Sequence, residues 1–189
     1  MNEAFYDAVA EAPVIAAVKN QEGLEACVAN ENIRVVFLLC GDILTLPETV
    51  ETIKNAGKIV IVHLDFISGL LSAKEISVDY IRRMTRADGI ITTHPNCIRR
   101  AVELGLYTVV RAFVLDSIAL ENVPRLEACH PDFIEVLPGV MPKVIRRLST
   151  MTDVPLLAGG LLSDKEDVIG ALDAGAAGIS TTDIALWDL

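Results

Sequence analysis

The sequence predicts one α/β domain over residues 1–189, a compact (β/α)8 TIM barrel of parallel strands joined by short loops. Three observations lead there. Short β-branched runs alternate with amphipathic segments eight times over, which closes most simply into a parallel barrel. Apolar residues make up 52% of the chain and the mean hydropathy is +0.45, as expected if strands are buried on both faces. No long connection marks the switch point that an open, doubly wound sheet needs.

The elements follow in order. A helix at 3–11 precedes the first strand and is expected to plug the barrel bottom. Strands are expected at 14–18, 35–40, 59–65, 89–92, 108–113, 133–137, 156–158 and 178–180, each a run of Val, Ile, Leu or Phe. Helices are expected at 22–29, 47–56, 78–85, 95–104, 117–129, 141–151 and 165–174, with a last turn at 183–187. Pro47, Pro95 and Pro142 stand in first turns, where a missing N–H costs nothing. Gly57, Gly105 and Gly175 follow helices, at positions that favour left-handed backbone. At roughly 24 residues per unit the barrel is pared down; only 68–77, after the third strand, leaves room for a lid.

No apolar run approaches the ~18–20 residues of a membrane span, and the acidic N-terminus lacks the basic start of a signal peptide. A cytoplasmic protein without membrane contact is expected. Cys27, Cys40, Cys97 and Cys129 are scattered, so free thiols are expected rather than disulfides or a metal site. The net charge of −10 disfavours nucleic-acid adhesion through the overall field but allows a local basic patch.

The chemistry should lie at the C-terminal strand ends. After the seventh strand comes Gly159-Gly160, and after the eighth Ser180-Thr181. Glycines admit close backbone approach, and free N–H groups with small hydroxyls supply donors, so a phosphate monoester is the expected ligand. Tight turns are the bland alternative; the pairing of the two turns favours the phosphate. Lys19, Asp42, Asp65, Arg111 and Glu135 also stand at strand ends and together ring one mouth. His63 and Asp65 share a strand face, but a metal-dependent epimerase needs further ligands and two opposed acid/bases, so an interior histidine and no metal are expected. Arg82, Arg83 and Arg86 on the third helix after the first strand, with Arg99 and Arg100 on the fourth, could form one patch for a phosphate backbone. Solvated helix surface is the competing reading.

Read together, PVIAAVK (13–19), VFLLCGDI (36–43), KIVIVHLDFISGL (58–70), ADGIITT (87–93), VRAFVLDSIALEN (110–122), PDFIEVLPGVMPKVI (131–145), PLLAGGLLSDKEDV (155–168) and GISTTDIALW (178–187) resemble the glycerol-3-phosphate-responsive antiterminator family of the bacterial glycerol uptake operon. The resemblance implies a non-enzymatic sensor, without catalytic residues or a cofactor, whose effector is glycerol 3-phosphate and whose partner is leader mRNA. It implies that Gly159, Gly160, Ser180 and Thr181 hold the phosphate, while Lys19, Asp42, Asp65, Arg111 and Glu135 line the glycerol end. His94 stands where the family usually has a basic residue. The alternative is an isomerase, epimerase or aldolase for a small phosphorylated sugar, which turnover would distinguish. A structural role in a homo-oligomer is a third reading, for which the helix surfaces give no clear signal.

Overall fold

A computed structural model describes residues 3–189. The strands β1 (Val14–Val18), β2 (Val35–Leu38), β3 (Ile59–His63), β4 (Gly89–Thr92), β5 (Tyr107–Phe113), β6 (Phe133–Leu137), β7 (Leu156–Gly159) and β8 (Gly178–Thr181) pair in sequence order. All pairs are parallel, and β8 returns to β1 to close the barrel. Helices α1 (Glu3–Glu11), α2 (Gln21–Ala29), α3 (Leu46–Asn55), α4 (Glu75–Met84), α5 (Pro95–Glu103), α6 (Ser117–Asn122), α7 (Pro142–Leu148) and α8 (Lys165–Asp173) complete the TIM barrel.

Side chains alternate across each strand, which separates two cores. Outward residues such as Val36, Val60 and Ile90 pack against the helices. Inward residues Ile15, Phe37, Ile61, Val109, Phe133 and Leu157 fill the barrel together with Phe5 and Val9 of α1. Phe5 stacks on Tyr107 and meets Phe133 edge-on, both at 4.9 Å between centroids, so α1 does close the bottom. Two residues further along the same inward faces stand His63, Arg111, Glu135 and Gly159, with Ser180 two after Gly178. The barrel therefore has an apolar floor and a polar ceiling.

Five expected boundaries shift by two residues or more; among them α4 opens at Glu75 rather than at 78. β2 and β3 end two residues early: Asp42 accepts from Leu44 and Thr45 N–H in a turn ahead of α3, and Leu64–Phe66 coils into a 3₁₀ turn. The segment expected as one helix over 117–129 is α6 followed by a 3₁₀ stretch, Val123–Cys129, because Pro124 has no N–H with which to continue the ladder. α7 stops at Leu148 rather than 151. Segment 68–77 is anchored. Ser68 N–H donates to Gly41 O, Ile43 N–H to Ser68 O, and Ser77 both donates to and accepts from the Leu71 backbone. It is a fixed wall of the mouth and offers no free lid. Burial pushes the Cys27 and Cys97 thiols up to about 11, which leaves both inert as nucleophiles.

Candidate functional site

The polar ceiling is organised by Glu135, which is wholly buried. One carboxylate oxygen accepts from Arg111 Nε at 2.5 Å and the other from Ser180 Oγ at 2.6 Å. Strand register makes this arrangement possible: Arg111 stands opposite Glu135, and Gly159 opposite Ser180. A Cβ on Gly159 would lie 2.6 Å from Ser180 Oγ and 2.8 Å from Glu135 Oε1. Glycine is thus required there by the carboxylate network, independently of any ligand.

Above this network the Arg111 guanidinium lines a cavity of about 140 Å³ at the mouth, with Leu137, Gly160, Leu161, Thr181 and Thr182 around it. That is space for a few waters at about 30 Å³ each, the size class of a small phosphate ester. Gly160 and Leu161 are both left-handed, with φ of 76° and 64°. For leucine this costs about 1–2 kcal/mol. The loop is held from below by Gly139 N–H donating to Gly160 O. Among the described residues the N–H groups of Gly160, Leu161 and Leu162 have no hydrogen-bond acceptor. These three successive N–H groups stand on the loop that lines the cavity together with Arg111. Lys19 stands on its rim, its Nζ 3.4 Å from Thr182 Oγ1.

The ringed residues take different positions. Gly160, Thr181, Arg111 and Lys19 converge on the cavity or its rim. Ser180 also lines the cavity, with its hydroxyl donating to Glu135, which lies beneath. Asp42 is half-buried and lies outside the cavity lining; it accepts from Thr45 and Leu44 N–H as a turn cap, and these bonds hold its carboxyl below the usual range. Asp65 accepts from Thr93 N–H at 3.1 Å and so pins the loop after β4, with His94 Nε2 at 3.5 Å from its carboxylate. Thr182 and Leu161 also belong to the mouth, although the strand-end pattern does not mark them. The third hydroxyl of Ser180-Thr181-Thr182 is a usable signal; nothing in the sequence marks a left-handed leucine. A larger open furrow of about 1230 Å³ runs along the opposite end beside Tyr6, Tyr107 and His130, but it gathers no cations.

The arginines lie toward the last turns of α4 and α5, at the barrel end away from the mouth. Arg86 pairs with Glu51 at 2.7 Å, and Arg100 with Asp79 at 2.7 Å and Glu103 at 2.9 Å. Glu51 of α3 and Asp79 of α4 come from neighbouring helices, and Glu103 from the next turn of α5. Arg82, Arg83 and Arg99 are exposed and form no ion pair among the described residues. No group of three or more His, Cys, Asp or Glu side chains suited to a metal occurs among the described residues.

Comparison with known proteins agrees with this architecture. The sequence profile of the "glycerol-3-phosphate responsive antiterminator" family matches residues 14–187. The chain is 39% identical over 178 residues to the uncharacterized protein YgcP of Escherichia coli K12, covering 94% of this chain and 92% of that one. Among solved structures, the glycerol uptake operon antiterminator regulatory protein of Listeria monocytogenes superposes with a TM-score of 0.87 at 28% identity, covering 93% of this chain and 94% of that chain. A glycerol uptake operon antiterminator-related protein of Thermotoga maritima superposes with a TM-score of 0.81 at 34% identity, covering 93% and 98%. The chain belongs to the glycerol-3-phosphate responsive antiterminator family.

One buried group gives the site a pH signature. His63 is 1% exposed, its Nδ1 accepts from Asp65 N–H at 3.3 Å, and its Nε2 has no partner. Burial, and then the nearby Arg111 charge, push its pKa from 6.5 down to about 2. Below pH 6.5 the unfolded chain binds a proton at His63 that the folded chain refuses. Stability present above pH 6.5 is therefore lost as pH falls from there toward 2, with a slope approaching ~1.4 kcal/mol per pH unit. Urea unfolding should show this decline between about pH 6.5 and 4.5, and His63→Gln should lack that share of it. Equal slopes in the two proteins would contradict the assignment.

Proposed function

We propose that this member of the antiterminator family is a non-enzymatic sensor of glycerol 3-phosphate that acts on leader mRNA. The observation that carries the ligand half is the cradle of free N–H groups at Gly160–Leu162, flanked by Arg111 and Lys19. The phosphate accepts from these amides and from the Thr181 and Thr182 hydroxyls, while the two cations offset its charge. The glycerol end lies toward Leu137 and the Arg111 side of the cavity. No step of catalysis is assigned. Both oxygens of Glu135 are engaged, and Lys19 is an exposed rim residue, unlike the desolvated lysine of a Schiff-base aldolase.

The RNA half rests on family membership and on the exposed arginines, of which Arg82, Arg83 and Arg99 have free guanidinium groups among the described residues. Ligand and RNA then occupy opposite ends of the barrel. Effector binding changes RNA affinity only through a difference in its own affinity for the two states of the protein.

Titration calorimetry with sn-glycerol 3-phosphate should give saturable binding without turnover, much weaker for glycerol or inorganic phosphate alone. Gly160→Val, which forces a β-branched residue into left-handed backbone, should abolish it while leaving the barrel folded. Unchanged affinity in that variant would remove the cradle from the account, and conversion of the ligand would establish an enzyme. For RNA, joint replacement of Arg82, Arg83 and Arg86 by alanine should weaken binding of a glycerol-operon leader transcript. It should also lower the salt slope by about one for each phosphate that an arginine no longer neutralises. An unaltered slope would reduce the patch to solvated surface.

A further inference from the structure

Most of the large apolar side chains that face water in this protein lie at one end, on the loops around the mouth. Leu44 follows β2, Phe66 and Leu71 follow β3, Ile76 opens α4, and Leu115 and Ile118 follow β5. Each is between 51% and 85% exposed. The loops that carry them are joined to each other. Asp42 bridges to Ser68, which ties the β2 loop to the β3 loop. Asn96 Nδ2 donates to Ala73 O, and the Cys97 thiol lies 3.3 Å from Ser72 O, which lays the β3 segment over the start of α5. The Phe66 ring faces Arg111 of β5, 5.9 Å from its guanidinium carbon. The six side chains therefore form a crescent along one half of the rim, beside the anion cradle on the other half.

We propose that this crescent is the surface through which two copies of the chain associate as a two-fold dimer. Its exposed area, on the order of 700 Å², exceeds the ~300–600 Å² of the largest patch on an ordinary monomer. It approaches the ~800 Å² that each partner buries in a standard interface. The charges at its edge are of both signs, Lys74 beside Asp42, Glu75 and Asp116. A two-fold contact sets one patch against its own copy, so lysine of one copy can meet carboxylates of the other. A nucleic acid is a poor occupant: three edge carboxylates on a chain of net charge −10 repel a phosphate backbone. The dimer leaves the arginine-bearing ends at its outer sides, where both stay open.

Sedimentation equilibrium over about 1–100 μM should give twice the 20.4 kDa chain mass. Joint replacement of Leu115 and Ile118 by lysine should weaken association about a hundredfold. Leu44→Lys, on a different loop, should weaken it as well, so the test does not hang on one loop's folding, which circular dichroism checks. Ile169→Lys, exposed on α8 away from the mouth, should leave the dimer intact. A native chain that stays monomeric throughout, or a dimer that survives both crescent variants, would overturn the proposal. So would a monomeric native chain whose RNA binding is lost on changing Leu115 and Ile118, since the crescent would then be a nucleic-acid surface.

Discussion

Glu135 sits out of water inside the barrel, and the geometry of the mouth depends on the two donors that hold it there. A buried carboxylate that loses its partner typically destabilises a fold by about 3–5 kcal/mol, so Arg111 and Ser180 are not interchangeable with apolar residues one at a time. The pairing also sets direction. With Nε bound to Glu135, the rest of the guanidinium is turned toward the cavity, where a ligand anion would meet it. Gly159 belongs to the same unit, since any side chain there would drive Ser180 and Glu135 apart. One carboxylate thus orients the cation, commits the serine and dictates the glycine.

The same layer leaves no free acid or base inside the barrel, which supports the proposed binding role of the mouth. Its interior acid is paired, its interior histidine is held neutral by burial, and its lysine stands in water on the rim. Around it stand the donors of the mouth: three consecutive amides without an acceptor among the described residues, the Thr181 and Thr182 hydroxyls, the remaining N–H groups of Arg111 and the Lys19 ammonium. The apolar floor beneath, closed by Phe5, keeps this layer from relaxing into a water-filled channel. The exposed arginines lie at the far end, separated from the mouth by the length of the paired parallel strands.

Much of the fold is legible in the sequence because alternation and helix punctuation are local properties. β1, β4, β6 and α1 fall where the residue pattern puts them. Arg111 and Glu135 are legible as charges on otherwise apolar strands, but their pairing is not, because it depends on register between strands. Ser180 and Gly159 read in the sequence only as phosphate contacts for the same reason: it takes the register to show that Glu135 reaches across Gly159 to Ser180. Asp42 carries a readable cap signal in Thr45 three residues on, which its strand-end position obscures. Of the arginine contacts, Arg100 with Glu103 follows from i,i+3 spacing, whereas Asp79 and Glu51 come from neighbouring helices and leave no mark in the sequence.

An anionic ligand held by backbone amides at the mouth would be visible by amide NMR. On titration with sn-glycerol 3-phosphate, the N–H resonances of Gly160, Leu161 and Leu162 should move downfield together and saturate with the Thr182 amide. Resonances along the furrow of Tyr6, Tyr107 and His130 should stay in place. Shifts confined to that furrow, with the three mouth amides unmoved at saturation, would contradict the account.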